Sequence, residues 1–364
     1  QIAGSVKQNQ HSEYRKLVLE PSGATEFDDP VLDPPDVLHL FGNGGMISVG
    51  GVPIGLGSAC TFATCVESVV LALDIPFVHH AFNWTEAKPA WYRNKFEGTY
   101  TPAIYFRGKY MQETKDIIET IVNAYSAEAR AKGLYTGNGE DVYASLLPEG
   151  YSVFSSMMAV YNYMNHVPYD EGSQNDIDNK AAKKDGAAAT QFTVEERADG
   201  RAAALAKCLS ELTPLETCLS KNPFVCGDSM GVCDIMHFSI LQTCLDLVAP
   251  IWDMRNPVVS QLPYMNAWME KMRIHPSNAF NNRGGHDAWQ FVQGFGQMWC
   301  KKMLNRSIVV DDNLRMRLSE YPLFQYTTSG IIEVKDGTSQ VAGSVKQNQH
   351  SEYRKLVLEP SGAT

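Results

Sequence analysis

Cys60 stands where a glycine-rich stretch, Gly42 to Gly57, gives way to apolar residues at helical spacing: Phe62, Val66, Val69, Val70 and Leu73. A thiol at a helix start faces free backbone N–H groups and the positive end of the helix dipole. Both favour the thiolate, the form that attacks disulfides and electrophiles. Cys65 lies deeper in the same run and reads as a small, inert, buried hydrophobe. The spacing of the two cysteines sets their side chains about 140° apart on a helix, which argues against a disulfide between them.

Two other places carry chemistry. Thr101-Pro102 opens a β-rich run that reaches Phe106. Thioredoxin-like folds place a cis proline at the start of such a strand, facing the thiol-bearing helix, and the preceding residue offers its backbone to a peptide-like ligand. Glu113-Thr114 precedes an amphipathic run, Asp116 to Tyr125. Their side chains and N–H groups can receive a charged amino-acid head group; they equally suit a helix cap with a first-turn acid.

The elements that must hold these residues alternate. A strand over Val37 to Phe41 is followed by a helix over Cys60 to Leu73 and a strand over Pro76 to His80. A helix over Thr85 to Asn94, a strand over Pro102 to Phe106, a turn at Arg107-Gly108-Lys109 and the Asp116 helix complete the set. Gly42 to Gly57 lacks the phosphate-cradling glycine patterns and is expected to be a flexible loop. From Val142 the pattern turns helical, over Val153 to Met164, Glu195 to Leu219, Asp234 to Val248, Tyr264 to Arg273 and Ala288 to Leu304, with a terminal strand at Gly330 to Val334. Trp289, Phe291, Phe295 and Trp299 form an aromatic stripe expected to pack in the core. The expected fold class is α/β plus all-α, a small thioredoxin-like domain followed by a helical one. The divisions are 1–36, an extended segment or linker rich in Pro and Asp; 37–130, the α/β domain; 142–305, the helical domain with a polar insertion near 170–190; 306–339, a C-terminal extension; and 340–364.

Taken together the motifs resemble the glutathione transferase family, in its cysteine-type omega and dehydroascorbate reductase branches, related to the soluble chloride-channel-like proteins. Cys60-Thr-Phe-Ala63 is similar to the Cys-Pro-Phe active-site motif, and Lys88-Pro-Ala-Trp-Tyr92 with Thr101-Pro-Ala103 to the Lys-Pro-x-Trp-Phe and Val-Pro run. Glu113-Thr114 with Ile117 resembles Glu-Ser-x-x-Ile, and Gly227 to Asp234 the segment that caps a buried helix. Leu262 to Met272 resembles the family's Leu-Pro-x-x-x-x-Trp helix. The likeness runs from about Val37 to Ser277. It implies an all-helical glutathione transferase C-terminal domain, Cys60 as nucleophile, and glutathione as co-substrate held by Phe62, Thr101, Pro102, Glu113 and Thr114. The partner substrate would be a small electrophile or disulfide, and the activity that of a thiol transferase or dehydroascorbate reductase. Thr61 replaces the motif proline, Thr114 replaces Ser and keeps a hydroxyl, and Gly231 replaces a capping Ser or Thr.

Several function classes recede. A formal net charge of -10 argues against a nucleic-acid backbone as partner. No apolar run is expected to approach the length of a membrane span. His79 and His80 are adjacent on a strand and should point to opposite faces, and His237, His275 and His286 have no evident partners, so no metal site is expected. The eight cysteines form no CxxC pair or metal spacing, which favours a reducing intracellular compartment.

Residues 1–25 return as residues 340–364 with one difference, Ile2 against Val341. Solvated polar positions such as Gln8 and Asn9 tolerate many substitutes, so the match reports a gene-level duplication, and the chain reads as one unit plus the start of the next. Tandem units and the altered motif at Thr61 also suit a structural or assembly protein that kept the fold and lost the chemistry. Within the repeat, Leu17 to Leu19 is β-prone, and a lone strand of that length is not stable in water. If both copies are ordered they must dock, the 1–25 copy on this unit and the 340–364 copy in the same way on a neighbouring one, so neighbouring copies of the unit are expected partners, linked head to tail.

Overall fold

The computed structural model describes residues 16–20, 32, 37–49, 52–58, 60–83, 88–96, 100–134, 141–166, 194–275, 277–278, 292, 296, 300, 308 and 310–321. Two compact units appear, Gln1–Lys132 with Pro276–Arg283 and Thr328–Thr364, and Gly133–His275 with Gly284–Thr327.

The first unit is built on a six-stranded sheet. Its strands are β1 (Lys16–Glu20), β2 (Leu38–Val49), β3 (Val52–Ser58), β4 (Phe77–Asn83), β5 (Ala103–Phe106) and β6 (Lys109–Gln112). The order is β1-β4-β2-β5-β6, with β3 paired to β2 off this path. β4 runs parallel to both β1 and β2, while β2–β5 and β5–β6 are antiparallel. Helices α1 (Thr61–Leu73), α2 (Ala90–Lys95), α3 (Thr114–Ala124) and α4 (Ser126–Ala131) complete the unit. The β4-β2-β5-β6 core with these helices is the thioredoxin-like arrangement.

α1 forms because its apolar positions repeat at helical spacing, and Val66, Val69, Val70 and Leu73 are all buried. Each such side chain contributes about 1.5–3 kcal/mol relative to exposure. The helix stops at Asp74, whose φ of 60° turns the chain left-handed while its N–H bonds back to Leu71 O. The other face of the sheet is closed by aromatics: Phe41, Phe82, Trp91, Tyr92 and Phe96 form one cluster, with Phe82 and Tyr92 edge to face at 4.6 Å.

The neighbouring histidines of β4 do part to opposite faces. His80 Nε2 meets His39 Nδ1 at 2.8 Å beside Phe41, whereas His79 Nδ1 lies 3.8 Å from Glu67 of α1.

The glycine-rich stretch is not a loop. Residues 42–49 extend β2 and 52–58 form β3, antiparallel, with Val49 opposite Val52. Only Gly50 and Gly51 stand between those two positions, and Gly-Gly is a two-residue hairpin signature. Met46, Ile47, Val49, Val52 and Ile54 supply enough β-prone residues to override the glycines.

The second unit is helical: α5 (Val153–His166), α6 (Val194–Leu219), α7 (Val232–Leu241), α8 (Arg255–Val259), α9 (Pro263–Arg273) and α10 (Asp312–Leu318). α7 continues as a π-helical stretch, Gln242–Val248, and a 3-10 turn, Ala249–Trp252. Asp234, wholly buried near the start of α7, accepts from Val225 N and Trp268 Nε1 through Oδ1 and from Cys226 N and Gly231 N through Oδ2. Those donors tie the loop before α7 and the aromatic ring of α9 to one carboxylate. Asp246 does similar work with charge, meeting Arg255 Nε at 2.8 Å and Arg273 Nη2 at 2.7 Å, all three side chains buried.

The expectation that no apolar run approaches a membrane span needs correction. Val232–Trp252, 21 residues, is long and apolar enough by length and composition, with 94% of its most apolar window buried inside the fold. Asp234 and Asp246 interrupt it in sequence, yet their charges are satisfied within the unit. His237 also has partners, Ser156 Oγ at 3.2 Å and the stacked ring of Tyr151. The aromatic stripe and all of the expected helix at 288–304 except residues 292, 296 and 300, the insertion near 170–190, the strand at 330–334, His286 and the repeat at 340–364 lie outside the described residues.

Candidate active site at the start of α1

Cys60 is the residue that α1 starts from. Its backbone is extended (φ -79°, ψ 123°), and its carbonyl takes the first helical bond from Thr64 N at 2.9 Å and a second from Thr64 Oγ1 at 3.1 Å. The thiol is partly exposed and makes no capping bond to its own helix. It turns instead to the chain entering β5, where the Sγ donates to the carbonyl oxygen of Thr101 at 3.5 Å. The Thr101–Pro102 peptide bond is cis. Phe62, in the first turn of α1, is partly buried, and Pro102 is buried.

Glu113 and Thr114 sit where β6 runs into α3. Thr114 is the first helical residue, and Glu113 accepts from Ile117 N at 2.9 Å through its carbonyl. The Glu113 side chain is exposed, and its φ of 71° with ψ of 115° is a conformation rarely taken by a residue with a Cβ. Such departures persist only where surroundings over-determine them, and they gather at ligand sites. Ala103 and Gln112 are opposite one another in the β5–β6 ladder, so Thr101-Pro102 and Glu113-Thr114 leave the sheet at the same end.

Two residues that the sequence reading gave no role hold this corner. Tyr92 Oη and Gln112 Nε2 both donate to the carbonyl of Tyr100, at 2.6 and 2.8 Å, fixing the chain just before Thr101. Burial pushes the Tyr92 phenol well above its ordinary value of 10.0; the Gln112 bond opposes this and the nearby Cys60 adds to it. Tyr92 is therefore a neutral donor at physiological pH. Its place in Lys88-Pro-Ala-Trp-Tyr92 was the one signal available in sequence.

All eight cysteines are free. A second thiol environment, in the helical unit, was also missed. The bond with Cys226 and the nearby His237 lower the Cys233 thiol against the opposing effect of burial, while the Cys226 thiol is raised. Cys233 is only 6% exposed, so it offers little access to a substrate. Among the described residues no group of three or more His, Cys, Asp or Glu is placed to hold a metal ion.

Residues 58–129 match the family profile described as glutathione S-transferase, N-terminal domain. Comparison with curated protein sequences returns no match. Among solved structures the chain is similar to dehydroascorbate reductase of Chlamydomonas reinhardtii, at 13% identity over 66% of this chain and 90% of that one, with a TM-score of 0.43. It is also similar to a glutathione transferase homolog from Sulfitobacter with bound glutathione, at 14% identity over 67% and 96%, TM-score 0.36. An epsilon-class glutathione S-transferase of the housefly, Musca domestica, aligns at 17% identity over 74% and 100%, TM-score 0.37. The stretch that carries Cys60, Thr101-Pro102 and Glu113-Thr114 is thus similar in sequence to a glutathione S-transferase N-terminal domain.

Proposed function

We propose that the protein is a glutathione-dependent thiol transferase of the dehydroascorbate reductase kind, with Cys60 as its nucleophile. The observation that carries this reading is the approach of the Cys60 sulfur to the Thr101 carbonyl, next to the cis proline. Glutathione would lie with its cysteine backbone against Thr101 and Pro102, its γ-glutamyl head group at Glu113 and Thr114, and Phe62 beside it. The Cys60 thiolate attacks the glutathionyl sulfur of a mixed disulfide; the S–S bond breaks, and the departing thiolate takes a proton from water. A second glutathione thiolate then attacks the Cys60–glutathione disulfide, releasing glutathione disulfide and regenerating the Cys60 thiolate. With dehydroascorbate the sum is two glutathiones oxidised to the disulfide and one ascorbate formed.

The test is Cys60→Ser, assayed for glutathione-dependent reduction of dehydroascorbate and of a mixed disulfide. Activity should fall more than about 100-fold, since a hydroxyl does not replace a thiolate, with circular dichroism unchanged. Full activity in that variant overturns the assignment. Cys233→Ser serves as the control, because it removes a buried thiol of the helical unit and should leave turnover as it was.

The second reading is a structural or assembly protein that kept the fold and lost the chemistry. β1 favours it, because this strand extends the thioredoxin-like sheet with a segment that the chain carries twice. Retention on immobilised glutathione, with a Cys60 thiol that reacts with an alkylating agent well below neutral pH, selects the enzyme; absence of both selects the assembly protein.

A further inference from the structure

Among the described residues β1 lies at one end of the sheet with β4 as its single partner, Lys16 opposite Val78 and Glu20 opposite Phe82. The other side of β4 is taken by β2. Residues 16–20 are therefore what covers the outer row of β4 backbone donors and acceptors. A bare row of this kind is a ready template for another strand.

Lys355 to Glu359 repeat Lys16 to Glu20 residue for residue, and the identity extends over 3–25 and 342–364. Each chain thus carries two copies of a strand that fits β4 and one β4 edge to receive it. We propose that this edge is a docking site for residues 355–359 of a second copy of the chain, which add in parallel in the register that residues 16–20 occupy. Parallel addition makes the same ladder bonds whichever copy supplies the strand, because the ladder is backbone and the side chains are the same. The donor surface differs from the acceptor surface, so the contact is heterologous. It links copies head to tail and does not close on two subunits.

The two strands compete for one edge with the same ladder, and residues 16–20 hold the advantage of a tether. Docking between chains therefore grows with concentration and with any loss of residues 16–20 from their own sheet. In a longer product of repeated units the same segment would serve as the edge strand of the unit that follows.

Adjacent proline pairs provide the test, since only alternate residues of a strand donate to a given neighbour and a pair removes one donor in either phase. An acceptor chain carries Leu17→Pro, Val18→Pro, Leu356→Pro and Val357→Pro, so that its edge is open and it has no donor. Mixed with the wild-type chain, it should give a 1:1 complex by light scattering. Mixed with a chain carrying only Leu356→Pro and Val357→Pro, it should give none. A folded acceptor that binds neither, or both equally, overturns the proposal. If circular dichroism shows the acceptor unfolded, hydrogen exchange on the otherwise wild-type chain decides. Val357→Ile gives the two copies different masses, and protection of 355–359 should rise with protein concentration. Protection that is absent at all concentrations, or independent of concentration as docking within one chain would give, overturns it.

Discussion

The sulfur of Cys60 and the carbonyl oxygen of Thr101 are 3.5 Å apart, although 41 residues separate them in the chain. One belongs to the start of α1 and the other to the residue before the cis proline, so the geometry of the site depends on how firmly each of these ends is held.

The α1 end can be stiffened. Thr61 is the first helical residue, a position where the N–H has no helical partner and where proline is well tolerated. Thr61→Pro should raise stability by about 0.5–1 kcal/mol, mainly by restricting the unfolded chain, measured as a shift in the urea midpoint at unchanged slope. A loss of stability would mean that the Thr61 N–H is engaged in the folded protein.

Glu113 offers the opposite trade. Glycine takes its φ of 71° without a Cβ penalty, so Glu113→Gly should stabilise the protein by about 1 kcal/mol. The same change removes the carboxylate from the start of α3 and, in the proposed enzyme, should raise the KM for glutathione several-fold more than it lowers kcat. Equal stability and unaltered KM would leave Glu113 without either role.

Tyr92 links the site to pH. Its phenol is raised above 10.0 in the folded protein, so the stability it contributes is complete below about pH 10 and is lost as pH rises beyond that, when the unfolded chain ionises first. Tyr92→Phe should cost about 1 kcal/mol near neutrality, because the Tyr100 carbonyl keeps only Gln112, and should flatten the decline above pH 10. Denaturant midpoints at about pH 8 and about pH 11 check both halves.

In the helical unit the sensitive residue is Asp234. Asp234→Ala leaves the buried Val225 and Gly231 N–H groups and the Trp268 indole without their acceptor and should cost at least about 3 kcal/mol. Asp234→Asn keeps one oxygen and should lose less, with the order read from thermal midpoints.

How much of this was legible in sequence depended on the range of the forces involved. α1, α3, α5 and α9 could be placed from local periodicity within about two residues at most ends, because their burial pattern repeats along the chain. The β-prone stretch at Leu17 pointed correctly to docking, and the ladder with β4 is its answer. The β2–β3 hairpin was missed because glycines at 42, 44, 45, 50, 51, 55 and 57 outweighed the β-branched residues between them. Tyr92 and Gln112 converge on a carbonyl eight and twelve residues away, a contact created only when α2 and β6 are in place. The π-helical turn at Gln242–Val248 and the Asp246 ion network had no sequence signal, since neither Arg255 nor Arg273 lies at a helical i+4 distance from Asp246.

The parallel pairing of β1 with β4 also sets an order of events during folding. Fifty-six residues lie between Glu20 and Phe77, and a parallel pair cannot be closed by a tight turn. β1 must therefore wait until β4 has been made, and until β2 and α1 have given β4 a surface to stand on. During that interval the sheet has an open margin, and any identical strand already present in the vicinity can arrive first. Slower translation across residues 60–83 would lengthen the interval and favour exchange between nascent neighbours; faster passage would favour a strand returning to its own sheet.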